Sequence, residues 1–301
     1  MADILDIPKA VVEFIGRAFS HVNDVVSEKI SRMPNTPEES LDISFIEALS
    51  KFSGPTRVTQ DFAVRIATHF IGGLWHYRRY EIADIGVVIV FKRGAVVAGR
   101  KLILLQSKRL YPLNNVVDEL DDFDHMLGLA LITRTERTEA PIFAQVTYQF
   151  TEKSIYGAMK PDSEQCKAIA AHFGETNIPV HYLFYNPIVI PWQITYPLSD
   201  DESLPRRDFG ARVLESGLVT QAMADTGRTS PPSLSEMSGS SNAEALHFGR
   251  SLETFMEEAV RCREGYRFSH ENDTGIRRLF ARKSGPIFCI IEITVESSQE
   301  G

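Results

Sequence analysis

The sequence has few cysteines and no long apolar run. Its three cysteines, Cys166, Cys262 and Cys289, are far apart, with no CxxC pair and no histidine at zinc-ligand spacing, so neither a disulfide framework nor a structural zinc site is indicated. No stretch approaches the ~18 apolar residues that a membrane-spanning helix needs, and residues 1–16 lack the basic start and apolar run of a secretion signal. These absences predict a soluble, cytoplasmic protein without a membrane partner.

The chain also lacks an overall positive charge. A formal net charge of -8 argues against a protein whose whole surface binds nucleic acid, because phosphate contacts need local Lys and Arg. Basic residues are nevertheless concentrated in one interval: Arg78, Arg79, Lys92, Arg93, Arg100, Lys101, Lys108 and Arg109. Basic pairs beside strands are also ordinary solubilising edge charges. Both interpretations of this interval stay open, and nucleic-acid contacts by Arg78, Arg79 and Arg109 are one expectation.

Apolar spacing predicts helices at the start of the chain and strands after them. Residues 7–30 show helical periodicity, and a second helix is expected after the break at residues 34–37. Residues 57–70 suit a strand or a short helix. Two β-rich runs, residues 82–91 and 102–107, predict neighbouring antiparallel strands, and the pattern continues with a helix at 114–132, a strand at 142–150, a helix at 162–173 and a strand at 180–185.

These elements predict an α/β fold divided into four segments. Residues 1–35 form an N-terminal helical segment and residues 36–198 the core. Residues 199–242 are rich in Ser, Pro and Gly and predict an irregular linker or loop. Residues 243–301 predict a C-terminal unit with a helix at 243–262 and a strand at 286–295, possible members of the main sheet and core. The 43% hydrophobic content permits a substantial core.

Three polar residues stand out on the two predicted neighbouring strands. Asp84 is a lone acid in an apolar strand, and Gln106 and Lys108 end the next strand. Side chains two positions apart point to the same sheet face, so Gln106 and Lys108 can share a site with Asp84. The backbone carbonyl of Ser107 adds a possible metal ligand. Oxygen ligands for a divalent cation beside an ammonium group suit phosphodiester hydrolysis. The alternative is a strand end emerging into solvent.

The stretches EIADIG (81–86) and LLQSKR (104–109) resemble the PD-(D/E)xK nuclease superfamily, particularly its Mrr-like branch with a D...QxK signature. The resemblance implies a restriction-endonuclease-like core of α-β-β-α-β order, with a central mixed sheet flanked by helices, an N-terminal helix and a C-terminal extension. It further implies DNA cleavage with Mg²⁺ or Mn²⁺, in which Asp84, Gln106 and Ser107 hold the metal and Lys108 positions or activates the attacking water.

The same family adds an acid from the helix before the strands. Glu39 is the first candidate for this role and Glu47 the second. Glu81 is a third, although three positions from Asp84 it faces the other side of the strand unless a bulge intervenes. The alternative for Glu39 is a first-turn acid that complements the helix dipole.

Three functions are therefore compared. The first is a DNA endonuclease, by analogy an effector of a bacterial restriction or anti-phage system, restrained by a regulatory protein partner or by homo-oligomerisation. The second is a catalytically inactive scaffold or binding protein that keeps the nuclease fold, an interpretation favoured by Gln106 in place of an acid. The third is an RNA-directed nuclease. Metal-dependent cleavage that requires Asp84 and Lys108 separates the enzymes from the scaffold.

Overall fold

The computed structural model describes most of the chain. The described residues are 6–70, 82–114, 146–160, 163–196, 198, 203–225, 230–239, 248–268, 276, 279 and 287–298. Arg78, Arg79, Glu81 and the predicted helix from residue 115 onward lie outside them. None of the described helices is both long and apolar enough to cross a membrane.

Two helices open the chain, as the sequence predicted. In α1 (Lys9–Arg32) a stripe of residues three or four positions apart is fully buried: Val11, Ile15, Phe19, Val22, Val26 and Ile30. Pro34 and Pro37 follow the end of α1. Pro37 directly precedes the first residue of α2 (Glu38–Ser50), because proline disrupts the interior of a helix but is tolerated at its start. Glu38 and Glu39 occupy the first turn of α2, where carboxylates complement the helix dipole.

The strands form two sheets. In chain order they are β1 (Thr56–Arg57), β2 (Phe62–Phe70), β3 (Ala83–Arg93), β4 (Val96–Arg109), β5 (Leu113–Asn114), β6 (Val146–Phe150), β7 (Val180–Tyr185), β8 (Trp192–Tyr196), β9 (Arg212–Glu215), β10 (Arg250–Ser251), β11 (Tyr266–Phe268) and β12 (Ile287–Ser297). The large sheet has the order β1-β2-β12-β3-β4-β7-β9-β10, with β11 also paired to β4, and the small sheet has the order β5-β6-β8.

The large sheet is mixed. β3 runs antiparallel to β4 and parallel to β12, and β4 runs parallel to β7. The prediction of two antiparallel strands at 82–91 and 102–107 is therefore confirmed, as is the suggestion that the last strand completes the main sheet. Residues 57–70, for which strand and helix were both open, supply β2, which pairs with β12.

Within the described residues, four further helices flank the strands: α3 (Glu164–Thr176), α4 (Ser216–Asp225), α5 (Leu234–Ser238) and α6 (Leu252–Val260). α1 packs against α2 and α6. The molecule is thus an α/β protein with a mixed central sheet flanked by helices. The helix predicted over 243–262 is shorter than expected and begins after Ser251, whose hydroxyl accepts from the amide of Thr254 as an N-cap.

The interval 199–242 is not irregular throughout, which corrects the expectation from its composition. It contributes β9 to the large sheet and contains α4 and α5. Its serines and glycines include helix caps: Ser233 forms a capping box with Glu236, and Gly239 takes the left-handed conformation that ends α5. The same residue types that predicted a loop therefore begin and end a helix.

Candidate functional site

The register of the two central strands brings Asp84 and Gln106 together. Ile85 pairs with Leu105, so the next residues outward, Asp84 and Gln106, stand opposite each other on one face. Gln106 Nε2 donates to Asp84 Oδ2 over 2.5 Å. The amide of Ser107 donates to the same oxygen over 2.6 Å. The carboxylate is therefore fixed by two donors from the neighbouring strand.

Gln106 carries a buried oxygen with no partner. The side chain is 2% exposed, and its Oε1 atom makes no hydrogen bond within the part of the chain that the structure describes. A buried acceptor left in this state costs free energy, about 1–3 kcal/mol in general. The side-chain amide of Gln106 thus donates its nitrogen to Asp84 and leaves its oxygen, Oε1, as an unsatisfied acceptor.

Lys108 lies at the end of β4 and contacts the helix α2. It is 4% exposed, and its Nζ donates to the carbonyl of Ser107 over 2.8 Å and to Glu38 Oε2 over 3.4 Å. The other oxygen of Glu38 accepts from the backbone amide of Arg109 over 3.1 Å. Glu38 therefore holds both the ammonium group and the backbone at the end of the strand.

A second carboxylate lies buried under Ser107. Asp42 Oδ1 accepts from the hydroxyl of Ser107 and from the hydroxyl of Tyr185, each over 2.6 Å. Burial raises the pKa of Asp42 well above its usual value, and the negative charge of Asp84 raises that pKa further, although the two hydroxyl bonds act in the opposite direction. Ser107 thus joins two acids, Asp84 through its amide and Asp42 through its hydroxyl.

The helix acids at the site differ from those predicted. Glu39 and Glu47 are exposed, as is Ile43, which is 40% exposed on the same face of α2. Glu38 and Asp42 stand one helical turn apart and contact β4 instead. Glu39, the first choice for the additional acid, and Glu47, the second, are thus exposed, whereas Glu38 and Asp42 lie against β4; which acid serves the site stays a prediction. Glu81 lies outside the described residues.

A signal for this correct face was present in the sequence. Asp42 is a lone acid among residues that proved to be the buried stripe of α2: Leu41, Phe45, Ile46 and Leu49. An acid inside an apolar helix stripe costs several kcal/mol unless it has partners, so its position indicated a polar contact in the core. Glu38 follows from Asp42, because side chains four positions apart share a face.

Arg109 is placed differently from the expected nucleic-acid contact. It is 5% exposed, and its guanidinium donates to the carbonyls of Pro34 and Thr36 in the loop between α1 and α2. Its Cζ atom also lies 3.8 Å from the centroid of the Tyr111 ring. These contacts turn the side chain into the protein, where it fixes the loop and does not present its charge to a ligand.

The groups at this site can be compared with the ligands that a divalent cation needs. Among the described residues, no three His, Cys, Asp or Glu side chains are placed to hold a metal ion. A cation here would therefore depend on Asp84 together with the buried Oε1 of Gln106 and the carbonyl of Ser107. All three groups are hard oxygen donors of the kind that Mg²⁺ and Mn²⁺ prefer, and the partnerless Oε1 is the group that fits such an ion.

Comparison with protein-family models, with curated proteins and with solved structures gives no match for this chain.

Proposed function

We propose that this protein is a metal-dependent endonuclease that hydrolyses DNA phosphodiester bonds with Mg²⁺ or Mn²⁺. The observation that carries the proposal is the pairing of Asp84 with Gln106, whose Oε1 is buried and has no protein partner in the described part of the chain. Lys108 is the second-last residue of β4, the strand of Gln106, so the D...QxK residues lie at one end of two paired strands.

The arrangement of elements supports a restriction-endonuclease-like core. α2 is followed by the antiparallel pair β3 and β4, and later by α3 and by β7, which pairs parallel to β4. With α3 and β7 in place of the helix predicted at 114–132, which extends beyond the described residues, and the strand predicted at 142–150, these elements are compatible with the α-β-β-α-β order that the sequence resemblance implies. The restriction-endonuclease-like core is therefore part of the proposal. The placement of the site's additional acid on α2 is part of it as well.

The chain's own residues have distinct roles in the proposed reaction. Asp84, Gln106 Oε1 and the Ser107 carbonyl would hold the cation, which supplies Lewis-acid activation of water and of the scissile phosphate. Lys108 holds its ammonium group at the Ser107 carbonyl, where it can neutralise charge that develops on the phosphate oxygens. Glu38 positions Lys108, and Asp42 positions Ser107 through the hydroxyl bond.

The biological role is proposed by analogy with Mrr-like nucleases. An effector in a restriction or anti-phage system acts on DNA and must be restrained in its host cell. We propose that a protein partner or self-association supplies this restraint. Measuring the mass in solution and the cleavage rate across a range of protein concentrations tests self-association, because a change in oligomeric state would then be accompanied by a change in rate.

The test of the proposed reaction is a cleavage assay on plasmid and linear DNA. The wild-type protein is expected to cut with Mg²⁺ or Mn²⁺ and to stop when the metal is chelated. Lys108→Ala and Asp84→Asn are expected to abolish cutting with the fold intact by circular dichroism. Lys167→Ala is the matched control, since Lys167 is an exposed lysine on α3 that pairs with Glu164. Cutting that survives Lys108→Ala would overturn the assignment.

A scaffold function is the second candidate. It is favoured because, among the described residues, the acids do not form a three-carboxylate cluster that could hold a metal ion. A scaffold would bind its partner equally well with and without metal and would tolerate both substitutions. RNA is the other substrate to include in the assay, since the hydrolytic chemistry is the same for both nucleic acids.

A further inference from the structure

A groove lies between the loop that joins α1 to α2 and the small sheet. We call it the tyrosine groove, and the residues that line it are Met33, Pro34, Asn35, Thr36, Tyr148 and Tyr196. Asp84, Gln106 and Lys108 are not among them, so the groove is separate from the proposed catalytic residues. Met33 at its rim is 59% exposed, although methionine is usually buried.

The two tyrosines of the groove are held in fixed positions. Tyr148 pairs with Ile194, and Tyr196 pairs with Val146, so both rings stand on one face of the small sheet in diagonal positions. Their centroids are 6.0 Å apart with an interplanar angle of 88°. Asn35 Nδ2 donates to the Tyr148 hydroxyl over 3.0 Å, and the Tyr196 hydroxyl donates to the carbonyl of Arg32. Both rings are therefore oriented before any ligand binds.

The groove is connected to the proposed site through Arg109. The guanidinium of Arg109 donates to the carbonyls of Pro34 and Thr36, and both of these residues line the groove. Arg109 follows Lys108 directly on β4. One wall of the groove is thus fixed by the residue next to the proposed catalytic lysine.

The chemistry of the lining selects the kind of ligand. It offers two aromatic rings, a thioether and an amide, and none of its residues is a lysine or arginine. Proteins that bind single strands combine cations along the phosphate backbone with aromatic rings on which the bases stack, and this groove supplies the rings alone. A paired base presents only its edge, because its faces are covered by its neighbours. The lining therefore suits an unpaired base and not a duplex.

We infer that the tyrosine groove binds an unpaired base of a single-stranded DNA segment that continues from the proposed cleavage site. Tyr148 and Tyr196 supply the stacking surface, and Asn35 is placed to bond with the base edge. The direction of the segment, from the site into the groove, rests on the proposed nuclease function. The binding of an unpaired base does not, and it is measurable without cleavage.

The first experiment uses the wild-type protein in the presence of a chelator, so that no cleavage occurs. Fluorescence anisotropy measures its affinity for a short labelled single strand of DNA, the same strand with abasic sites, the matching duplex and the matching RNA. We expect the intact single strand to bind about tenfold more tightly than the abasic strand, since stacking on one aromatic ring contributes about 1–3 kcal/mol per base. Equal affinity for both strands would overturn the inference.

The second experiment removes the rings one at a time. Tyr148→Ala and Tyr196→Ala are each expected to weaken single-strand binding about tenfold, whereas Tyr148→Phe and Tyr196→Phe keep most of it. Phe173→Ala is the matched control, because Phe173 is an aromatic residue on α3 that is 47% exposed. If an alanine variant fails to fold, the phenylalanine variants and the abasic strand still decide.

The outcomes separate the groove from the nuclease. DNA cleavage with unchanged single-strand binding in both alanine variants would refute the groove and leave the nuclease proposal standing. Ring-dependent binding without any metal-dependent cleavage would support the groove and refute the nuclease proposal. RNA bound more tightly than DNA would contradict the DNA assignment, and a groove that binds neither nucleic acid but captures a folded protein would overturn the inference altogether.

Discussion

Ser107 donates its backbone amide to Asp84 Oδ2 over 2.6 Å, and this bond joins the ends of the two central strands. The hydroxyl of the same serine reaches Asp42 on the opposite side of the strand. A small residue that no D...QxK motif specifies therefore connects the helix acid to the strand acid. Substitutions around it can separate its structural role from its proposed catalytic one.

Glu38→Gln and Glu39→Gln form a matched pair for the helix acid. Glu38 contacts both Lys108 and the amide of Arg109, whereas Glu39 is exposed. We expect Glu38→Gln to slow metal-dependent cleavage at least about tenfold, the size of effect that displaced positioning groups produce, and Glu39→Gln to leave it unchanged. Steady-state cleavage of plasmid DNA measures both. Equal activity in the two variants would contradict the positioning role of Glu38.

Tyr185→Phe tests the buried bond to Asp42. Tyr185 is fully buried, and removing its hydroxyl leaves the Ser107 hydroxyl as the donor to Asp42 Oδ1 among the described residues. We expect a loss of about 1–3 kcal/mol in the free energy of unfolding, measured by urea denaturation. Tyr182→Phe on the same strand is the control and should cost less, because that hydroxyl lies 3.7 Å from a cysteine sulfur. Equal losses would show that the Asp42 bond is not special.

Asp42→Asn should change how stability depends on pH. Burial raises the pKa of Asp42, so the folded protein binds this proton more tightly than the unfolded chain does. Ionising the group therefore lowers stability as the pH rises above the unfolded value of 3.8 and through the raised folded pKa. We expect Asp42→Asn to be more stabilising, relative to wild type, at pH above neutrality than in acid. Unfolding free energies measured over that range decide, and a constant difference would contradict the prediction.

His181 should make the protein sensitive to acid. It is 5% exposed, and burial lowers its pKa from 6.5 to about 4. The folded state thus holds the neutral ring, and the unfolded chain takes up a proton first as the pH falls below 6.5. At about 1.4 kcal/mol per pKa unit, the loss of stability should reach roughly 3 kcal/mol by the folded pKa.

The variant His181→Phe isolates this contribution, since the ring already packs 4.9 Å from Phe255. We expect the variant to lose less stability than wild type between neutral pH and pH near 4. His69→Asn is the control, because His69 is exposed at the end of β2. Parallel stability profiles for wild type and His181→Phe would show that acid acts through other groups.

Much of the fold could be predicted from local patterns. The 3.6-residue period of α1 and the apolar runs of β3 and β4 each concern neighbouring residues, and all three elements are confirmed. The pairing of Asp84 with Gln106 followed from the strand order and from period-2 alternation. Such predictions succeed because the information lies within one element or at one connection.

The failures concern contacts between distant segments. Glu39 was chosen over Glu38 because the lone acid Asp42 in the apolar stripe of α2, which marks the face that packs against β4, was not used. Arg109 was expected to contact nucleic acid, and nothing in the sequence shows that its guanidinium bonds to the carbonyls of Pro34 and Thr36. The prediction that residues 199–242 are irregular failed for a different reason, since serine and glycine occur both in loops and in helix caps.

The position of β12 between β2 and β3 has a consequence for biosynthesis. Until β12 has been synthesised, the edges of β2 and β3 that pair with it lack this neighbouring strand. Bare edges of this kind invite pairing with other chains, and contacts between such distant parts of the sequence form slowly. We expect a nascent chain to expose these edges to unwanted pairing until β12 emerges and closes the sheet beside Asp84.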